Sequence, residues 1–258
     1  MNLIIHNSFH DTTPSHTGDA ILSRPIITTI RNTFSDINII LQFEKKHHYL
    51  FSDLGLSLME RTPIAGLNYN AWFGYYTDIL DIYGMSYFGQ VHSFNRQMEG
   101  QGLPYRLTMP DIHPMLSFPP HEGPLAALPN SILIENGICL SGQSFIEMNT
   151  LIPRLVNDFK DFYFYTSSKS PVPVYPTHGL FDLCHFDLIT LHHFSNLCTA
   201  LITRGSGVNA VCYSDINRNK PRAIVGWNYS YLLWDNNNFI NCRSYDELCQ
   251  FINKLRKG

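Results

Sequence analysis

The first 43 residues alternate between apolar runs and a helical repeat. Leu3-Ile4-Ile5 predicts a short strand, and the β-rich run from Ile37 to Phe43 predicts another. Between them lies a helical repeat of apolar residues: Ile26, Ile27, Ile30 and Phe34. Pro25 is expected in the first turn of that helix, because proline has no backbone N–H and is tolerated only there. This strand–helix–strand order predicts a parallel sheet.

The pattern restarts after residue 130. Ser131 to Glu135 predicts a strand, Asn136 to Gln143 a glycine-containing loop, and Ser144 to Lys160 a helix that places Phe145 on its apolar face. Further strands are predicted at 162–165, 200–203 and 223–227, and further helices at 192–198 and 208–213. Ser244 and Glu247 form a capping box, which predicts the start of a last helix. For residues 44–110 the pattern defines no topology.

Prolines crowd the stretch between these two patterns: Pro110, Pro114, Pro119, Pro120, Pro124 and Pro129. Neither a helix nor a central strand accommodates them, because each removes a backbone donor. A length of 258 residues allows two small domains. We therefore predict an α/β protein with two Rossmann-like lobes whose parallel sheets face a cleft: residues 1–120, a proline-rich hinge at 121–130, and residues 131–258. Open α/β sheets bind ligands at the carboxyl ends of their strands, so the loops there are candidate sites.

Composition narrows the classes of partner. Charged residues make up 15% of the chain, against about 25% in an average soluble protein, whereas aromatic residues reach 13%. The net charge is -3 and no long basic run occurs, so we expect no nucleic-acid partner. A surface with few ions and many aromatic rings suits a sugar, a second copy of the chain or a lipid surface. A homo-oligomer and peripheral membrane contact are both compatible with that surface.

The sequence also predicts a location. Met1 to His6 contains no cationic leader, and no apolar stretch approaches the roughly 18 residues of a spanning helix. Six cysteines occur without a C-x-x-C pair, which favours reduced thiols. We expect a cytoplasmic protein, with any membrane association confined to its surface.

The loop Arg204-Gly205-Ser206-Gly207 lies between a predicted strand and a predicted helix. Backbone amides at such a position face a ligand, and a diphosphate fits there. Ser206 could add a hydroxyl donor, Arg204 a planar cation, and Gly207 room for close approach. The alternative is a tight turn in which glycine only satisfies geometry.

Two further loops contain residues that could bind a phosphate. The loop after Glu135 contains Ser141 and Gly142 in the same strand-to-helix context, with helix capping as the alternative role. Lys220 and Arg222 belong to a basic loop that could pair with phosphates or with an acidic acceptor, although a solvated loop is equally consistent with its composition.

Gly18-Asp19 precedes the first predicted helix. Asp19 is either a first-turn residue favoured by the helix dipole or a general base. A single carboxylate suits transfer to an alcohol better than hydrolysis, which uses a pair. His16 lies in the same loop with other histidines, and we interpret these as hydrogen-bonded imidazoles and predict no metal. The hydrolase elbow, P-loop and dinucleotide fingerprints are all absent from the sequence.

Two segments resemble the heptosyltransferase-like (family 9) glycosyltransferases of the GT-B fold. The first is Gly18 to Ile27, followed by Arg31, Phe34 and the run Ile37 to Ile40. The second is Cys198 to Gly207, which is similar to the donor-site strand of that family and its Thr-Gly or Ser-Gly turn.

The resemblance implies a function. Asp19 matches the catalytic base of the family, and Ser206-Gly207 match the turn that holds the donor diphosphate. Ser141, Gly142, Arg204, Gly205, Lys220 and Arg222 are then expected on the donor side, and His16, Gly18 and Arg24 on the acceptor side. The implied reaction is inverting and metal-independent. It moves a sugar from an ADP-, GDP- or UDP-linked donor, with no separate cofactor, to a hydroxyl of a glycan or lipid-linked acceptor in surface polysaccharide or glycoconjugate synthesis.

The sequence departs from the family in ways that leave alternatives open. The loop Ile138 to Gln143 lacks the expected lysine, and Arg-Gly-Ser-Gly stands where Asp-Thr-Gly-Leu is usual. Arg204, Lys220 or Arg222 could substitute for that lysine. One alternative is a non-catalytic nucleotide- or glycan-binding protein with a degenerate cleft. Another is a sugar-nucleotide epimerase or hydrolase of the same fold, for which Glu135 and His178 are the candidates.

Overall fold

The computed structural model describes residues 2–6, 17–60, 70–73, 87–108, 116–137, 144–172, 179–226 and 239–256. These residues divide into two compact units, the first ending at Leu116 and the second beginning at Ser117. Each unit has its own parallel sheet. The predicted lobe limits at 120 and 131 stay a prediction.

The first unit is built on a four-stranded sheet in the order β3-β2-β1-β4, with every neighbouring pair parallel. Its strands are β1 (Asn2–His6), β2 (Asn38–Phe43), β3 (Ser57–Glu60) and β4 (Asn70–Phe73). Its helices are α1 (Thr17–Thr33), α2 (Tyr87–Gly100) and a 3-10 segment (Lys45–Leu54). The predicted strand–helix–strand unit and its parallel sheet are confirmed.

Helix α1 differs from the prediction at Pro25, which lies in its middle and not in its first turn. An interior proline removes one backbone hydrogen bond and costs about 3 kcal/mol. The apolar residues before and after Pro25 are all buried, however: Ala20, Ile21, Leu22, Ile26, Ile27 and Ile30. Each large apolar side chain contributes about 2 kcal/mol on burial, so packing offsets the cost of the proline.

The second unit contains a six-stranded parallel sheet in the order β10-β9-β8-β5-β6-β7. Its strands are β5 (Ser131–Ile134), β6 (Tyr163–Thr166), β7 (Leu180–Asp182), β8 (Ala200–Thr203), β9 (Arg222–Val225) and β10 (Phe239–Cys242). Its helices are α3 (Met148–Asp158), α4 (Leu188–Ser195), α5 (Gly207–Val211), α6 (Tyr245–Leu255) and a 3-10 turn (Asn217–Asn219). One face of the sheet forms a hydrophobic core with α3 and α6.

Helix ends in the second unit are set by capping side chains. Ser244 accepts the backbone N–H of Glu247, which confirms the predicted start of α6. Helix α3 begins later than the predicted Ser144, because Glu147 caps it. Helix α4 begins earlier than the predicted His192, because Asp187 caps it. Helix α5 ends at Val211, two residues before the predicted end.

Both sheets reverse their strand order next to their first strand. In the first unit β2 and β3 extend from one side of β1, and β4 adds to the other side. In the second unit β6 and β7 extend from one side of β5, whereas β8, β9 and β10 extend from the other. Such a topological switch point opens a crevice at the carboxyl ends of the two diverging strands, where α/β proteins bind ligands. Among the described helices, none combines the length and apolarity needed to cross a bilayer.

Candidate functional site

The switch point of the second sheet brings together the residues that follow β5 and β8. Glu135 directly follows β5, and its carboxyl group is buried. Its Oε2 accepts the backbone N–H of Arg204, with 2.7 Å between N and O. Its Oε1 accepts a very short hydrogen bond from the Ser206 hydroxyl. One buried carboxyl group therefore holds the loop that follows β8 at two points.

Burial changes the charge of this carboxyl group. Loss of solvation raises the pKa of Glu135 to about 8, and the backbone N–H and positive charge of Arg204 only partly oppose this shift. At pH 7 the neutral form of Glu135 therefore outweighs the ionised form by about ten to one. Glu135 therefore contributes little negative charge to the switch point near neutral pH.

Arg204 ties the loops after β5 and β8 together. Its side chain is buried, and its Nη1 donates to the carbonyl oxygen of Gly137 over 2.8 Å. Its Nε lies 3.5 Å from the hydroxyl oxygen of Ser144. Arg204 was expected as a cation for phosphate; these two hydrogen bonds go to protein atoms, and its role toward phosphate stays a prediction.

Ser206 is the N-cap of α5. Its hydroxyl oxygen accepts the backbone N–H of Val208 over 3.1 Å, while its hydroxyl proton is donated to Glu135. The hydroxyl group is therefore used by the protein as both donor and acceptor. Gly205 is buried, whereas Ser206 and Gly207 are half-buried. The backbone N–H of Ser206 donates to the carbonyl oxygen of Arg204 over 2.9 Å.

Sequence reasoning missed Asn136, which connects the ends of β5 and β6. Its side chain is buried and donates to the side-chain oxygen of Asn149 and to the carbonyl oxygen of Lys169, each over 3.0 Å. Its own side-chain oxygen accepts the backbone N–H of Ser168 over 2.8 Å. The signal that could have found Glu135 and Asn136 is a pair of polar residues directly after the fully buried strand β5.

The segment before α3 is fixed against the end of β9. The Ser144 hydroxyl donates to the carbonyl oxygen of Val225 over 2.5 Å, and the Phe145 N–H donates to that of Gly226 over 3.2 Å. Phe145 was predicted on the buried face of a helix; it lies outside α3 and its side chain is 59% exposed. The reason is that Ser144 bonds to the sheet and does not start the helix. An exposed aromatic ring thus lies one residue from the side chain that Arg204 contacts.

The switch point of the first sheet adjoins the predicted catalytic residue. Gly18 and Asp19 are the second and third residues of α1, the helix that follows β1. The side chain of Asp19 lies outside the described part of the structure, as do His16 and the other histidines of this loop. Among the described residues, no group of three or more metal-ligating side chains converges.

Arg24 has partners inside the first unit. Its guanidinium group is buried and pairs with both carboxylate oxygens of Asp53, at 2.6 and 2.8 Å. It also donates to the carbonyl oxygen of Leu50. These bonds tie α1 to the 3-10 segment Lys45–Leu54, so we do not include Arg24 among the acceptor contacts proposed below.

Arg204 follows the carboxyl end of its strand, whereas Lys220 and Arg222 lie at the opposite, amino ends of the parallel strands of the second sheet. Arg222 is the first residue of β9 and Lys220 precedes it, so both are at the amino ends of the strands. Lys220 donates to the carbonyl oxygens of Ser195 and Asn196, at 3.1 and 2.6 Å. The buried Arg222 guanidinium lies 4.4 Å from the ring centre of Tyr213. The structure does not bring these two cations to the switch point. Ser141, Gly142 and His178 lie outside the described residues.

No protein-family model and no curated protein sequence matches the chain. Solved structures do match its fold. ADP-heptose lipopolysaccharide heptosyltransferase II of E. coli is 12% identical, with 99% of this chain and 98% of that chain covered and a TM-score of 0.60. E. coli heptosyltransferase WaaC, solved with ADP, is 11% identical, with 100% and 98% covered and a TM-score of 0.54. A family 9 glycosyl transferase of Veillonella parvula is 13% identical, with 99% and 89% covered and a TM-score of 0.56.

At identities of 13% or less, these likenesses establish the fold. The chain has the heptosyltransferase-like GT-B fold, as the two sequence segments implied. The α/β class with parallel sheets is confirmed on the same basis.

Proposed function

We propose that this protein is a glycosyltransferase that moves a sugar from a nucleotide-diphosphate donor to a hydroxyl group of a glycan or lipid-linked acceptor. The observation that carries the proposal is the position of the two candidate segments. The helix containing Asp19 follows the strand at the switch point of the first sheet, and the Arg204–Gly207 turn follows a strand at the switch point of the second. Switch points are where α/β proteins bind ligands.

The donor diphosphate is assigned to the end of the turn at Gly207, where α5 begins. The backbone N–H groups of Arg204, Ser206 and Val208 already donate within the protein, to Glu135, to the Arg204 carbonyl oxygen and to the Ser206 hydroxyl oxygen. Backbone N–H groups at the start of a helix bind anions without a metal ion. The Arg204 guanidinium adds a positive charge beside the turn, although its hydrogen bonds go to Gly137 and Ser144. Together these features support a metal-independent donor site, and the bound nucleotide sugar is a co-substrate rather than a cofactor.

Asp19 is assigned as the general base. In the proposed reaction its carboxylate takes the proton of the acceptor hydroxyl as that oxygen bonds to the anomeric carbon. The bond from that carbon to the diphosphate oxygen breaks at the same time, and the nucleoside diphosphate leaves with the electron pair. A single displacement of this kind inverts the anomeric configuration.

The substitution Asp19→Asn tests this assignment. We expect it to lower sugar transfer at least 100-fold, because an amide cannot accept the proton, while nucleotide-sugar affinity changes less than threefold. Donor binding is measured by calorimetry and transfer by release of nucleoside diphosphate in the presence of an acceptor mixture. Asp246→Asn, at an exposed position in α6, serves as the matched control. Full transfer by the Asp19→Asn variant would remove Asp19 from the mechanism.

A second candidate function is non-catalytic binding of a nucleotide or glycan. One observation favours it: the side chains of Arg204 and Ser206 are committed to hydrogen bonds within the protein. This function predicts nucleotide binding without transfer or hydrolysis by the wild-type protein. An epimerase or hydrolase that uses Glu135 as a proton donor predicts instead that Glu135→Gln abolishes turnover while leaving binding intact.

A further inference from the structure

We propose that Glu135 is a positioning residue for the donor diphosphate. Its carboxyl group fixes the Arg204–Gly207 turn by accepting two hydrogen bonds, and while it is neutral it keeps negative charge away from the switch point, so that an anion binds there. Ionisation of the same group weakens that binding. This inference rests on the proposed function, because it concerns how the donor site works.

The geometry shows how Glu135 acts on the turn. The Oε2 atom accepts the Arg204 N–H at the beginning of the turn, and Oε1 accepts the Ser206 hydroxyl two residues later. Both carboxyl oxygens are thereby occupied within the protein, and the residue is only 2% exposed. A group in this position acts on a ligand through the turn that it holds rather than by touching the reacting atoms.

The charges around Glu135 determine what its ionisation does. Within the part of the chain that the structure describes, the titratable groups that face it are Arg204, after β8, and Cys212, after α5. Burial raises the pKa of Cys212 to about 12, so this thiol stays neutral throughout the relevant range. Ser167, which directly follows β6, is uncharged and accepts the Asn136 N–H. Arg204 is thus the charge that an ionised Glu135 would neutralise.

Donor binding depends on this balance. With Glu135 neutral, the positive charge of Arg204 is available to a diphosphate at the turn. With Glu135 ionised, its negative charge cancels that of Arg204 and lies in a buried, weakly screened environment close to the phosphates. Burial places the pKa of Glu135 at about 8, so the change falls between pH 6.5 and 9.

The variant Glu135→Gln removes the ability of this side chain to ionise while keeping its size and shape. A glutamine side chain resembles the neutral acid: its oxygen accepts one hydrogen bond, and it cannot ionise. The matched control is Glu122→Gln, which removes an exposed carboxylate of the same unit. The probes are ADP-glucose, GDP-mannose and UDP-glucose, because the diphosphate diester group of each keeps the same charge from pH 6.5 to 9; ADP-glucose, whose base does not titrate in this range, is the reference.

Calorimetric titration of the full chain at pH 6.5 and pH 9 provides the test. At pH 9 about one molecule in eleven holds a neutral Glu135, so we expect the affinity of the wild type and of Glu122→Gln to fall about tenfold. The Glu135→Gln variant should bind equally well, within threefold, at both pH values. An equal fall in all three proteins would overturn the proposal.

Amide hydrogen exchange at Ser206, Gly207 and Val208 in the ligand-free protein separates this inference from the proposed function. At pH 6.5, protection corrected for the intrinsic rate should be at least threefold lower in Glu135→Ala, which removes both hydrogen bonds that hold the turn, than in Glu122→Gln or the wild type. If that difference appears although no nucleotide sugar binds, Glu135 positions the turn and the proposed function fails. If all three proteins show the same protection, the role of Glu135 in holding the turn is refuted whatever the protein binds.

Discussion

At the scale of single residues, the second unit is organised around the buried carboxyl group of Glu135. The sequence placed Glu135 at the end of a strand and named it only as a candidate proton donor. Its partners, the Arg204 N–H and the Ser206 hydroxyl, lie about seventy positions away in the chain, and β5 meets β8 only once the sheet is assembled. Residue types and spacing could therefore predict the candidate turn, but not which of its side chains are already hydrogen-bonded within the protein.

Stability should depend on pH through this residue. The folded-state pKa of Glu135 is raised to about 8 from its ordinary 4.5, so its contribution is fully present below pH 4.5 and is lost as pH rises through 8. We expect the free energy of unfolding of the wild type to fall between pH 5 and pH 8.5, by about 4 kcal/mol. Urea denaturation at both pH values should show a much smaller fall for Glu135→Gln than for Glu122→Gln. If the free energy of unfolding fell by the same amount in both variants, the burial of an un-ionised carboxyl group would be contradicted.

At the scale of elements, apolar periodicity predicted most strands and helices, whereas their ends depended on capping. Asp187 and Glu147 cap α4 and α3, and neither position stood out from the repeat of apolar residues. The predicted position of Pro25 in the first turn was wrong for a related reason. The local preference of proline for a first turn was outweighed by the burial of apolar side chains before and after it in the helix. The exposure of Phe145 was unpredictable because it follows from the bond between Ser144 and β9.

Gly226 tests how tightly that segment is held against the sheet. It has φ of +65°, and a Cβ atom added there would lie 3.0 Å from the backbone nitrogen of Ile146. Gly102 has a similar φ of +68° but open space around it. We expect Gly102→Ala to cost about 1 kcal/mol and Gly226→Ala about 2 to 4 kcal/mol in urea unfolding, because only the second adds a clash to the backbone strain. Equal costs would show that the segment before α3 moves freely.

At the scale of the whole molecule, the GT-B fold could be anticipated from two short segments, but the strand order could not. Each segment implied a loop at a strand end, and the structure shows that each follows a strand at the point where its sheet reverses order. Strand order is decided by which faces pack together, and four-residue strands such as β5 and β8 carry little local information about their neighbours.

The most direct test of the central claim is the melting temperature of the protein with ADP-, GDP-, UDP- and CMP-linked sugars. A ligand that binds only the native state at one hundred times its Kd adds about 2.7 kcal/mol to stability. At about 2 to 4 °C per kcal/mol for a protein of 150 to 250 residues, a glycosyltransferase donor should therefore raise the melting temperature by about 5 to 11 °C. A rise with at least one nucleotide sugar is the result that we predict; no rise with any of them would contradict a nucleotide-sugar-dependent glycosyltransferase.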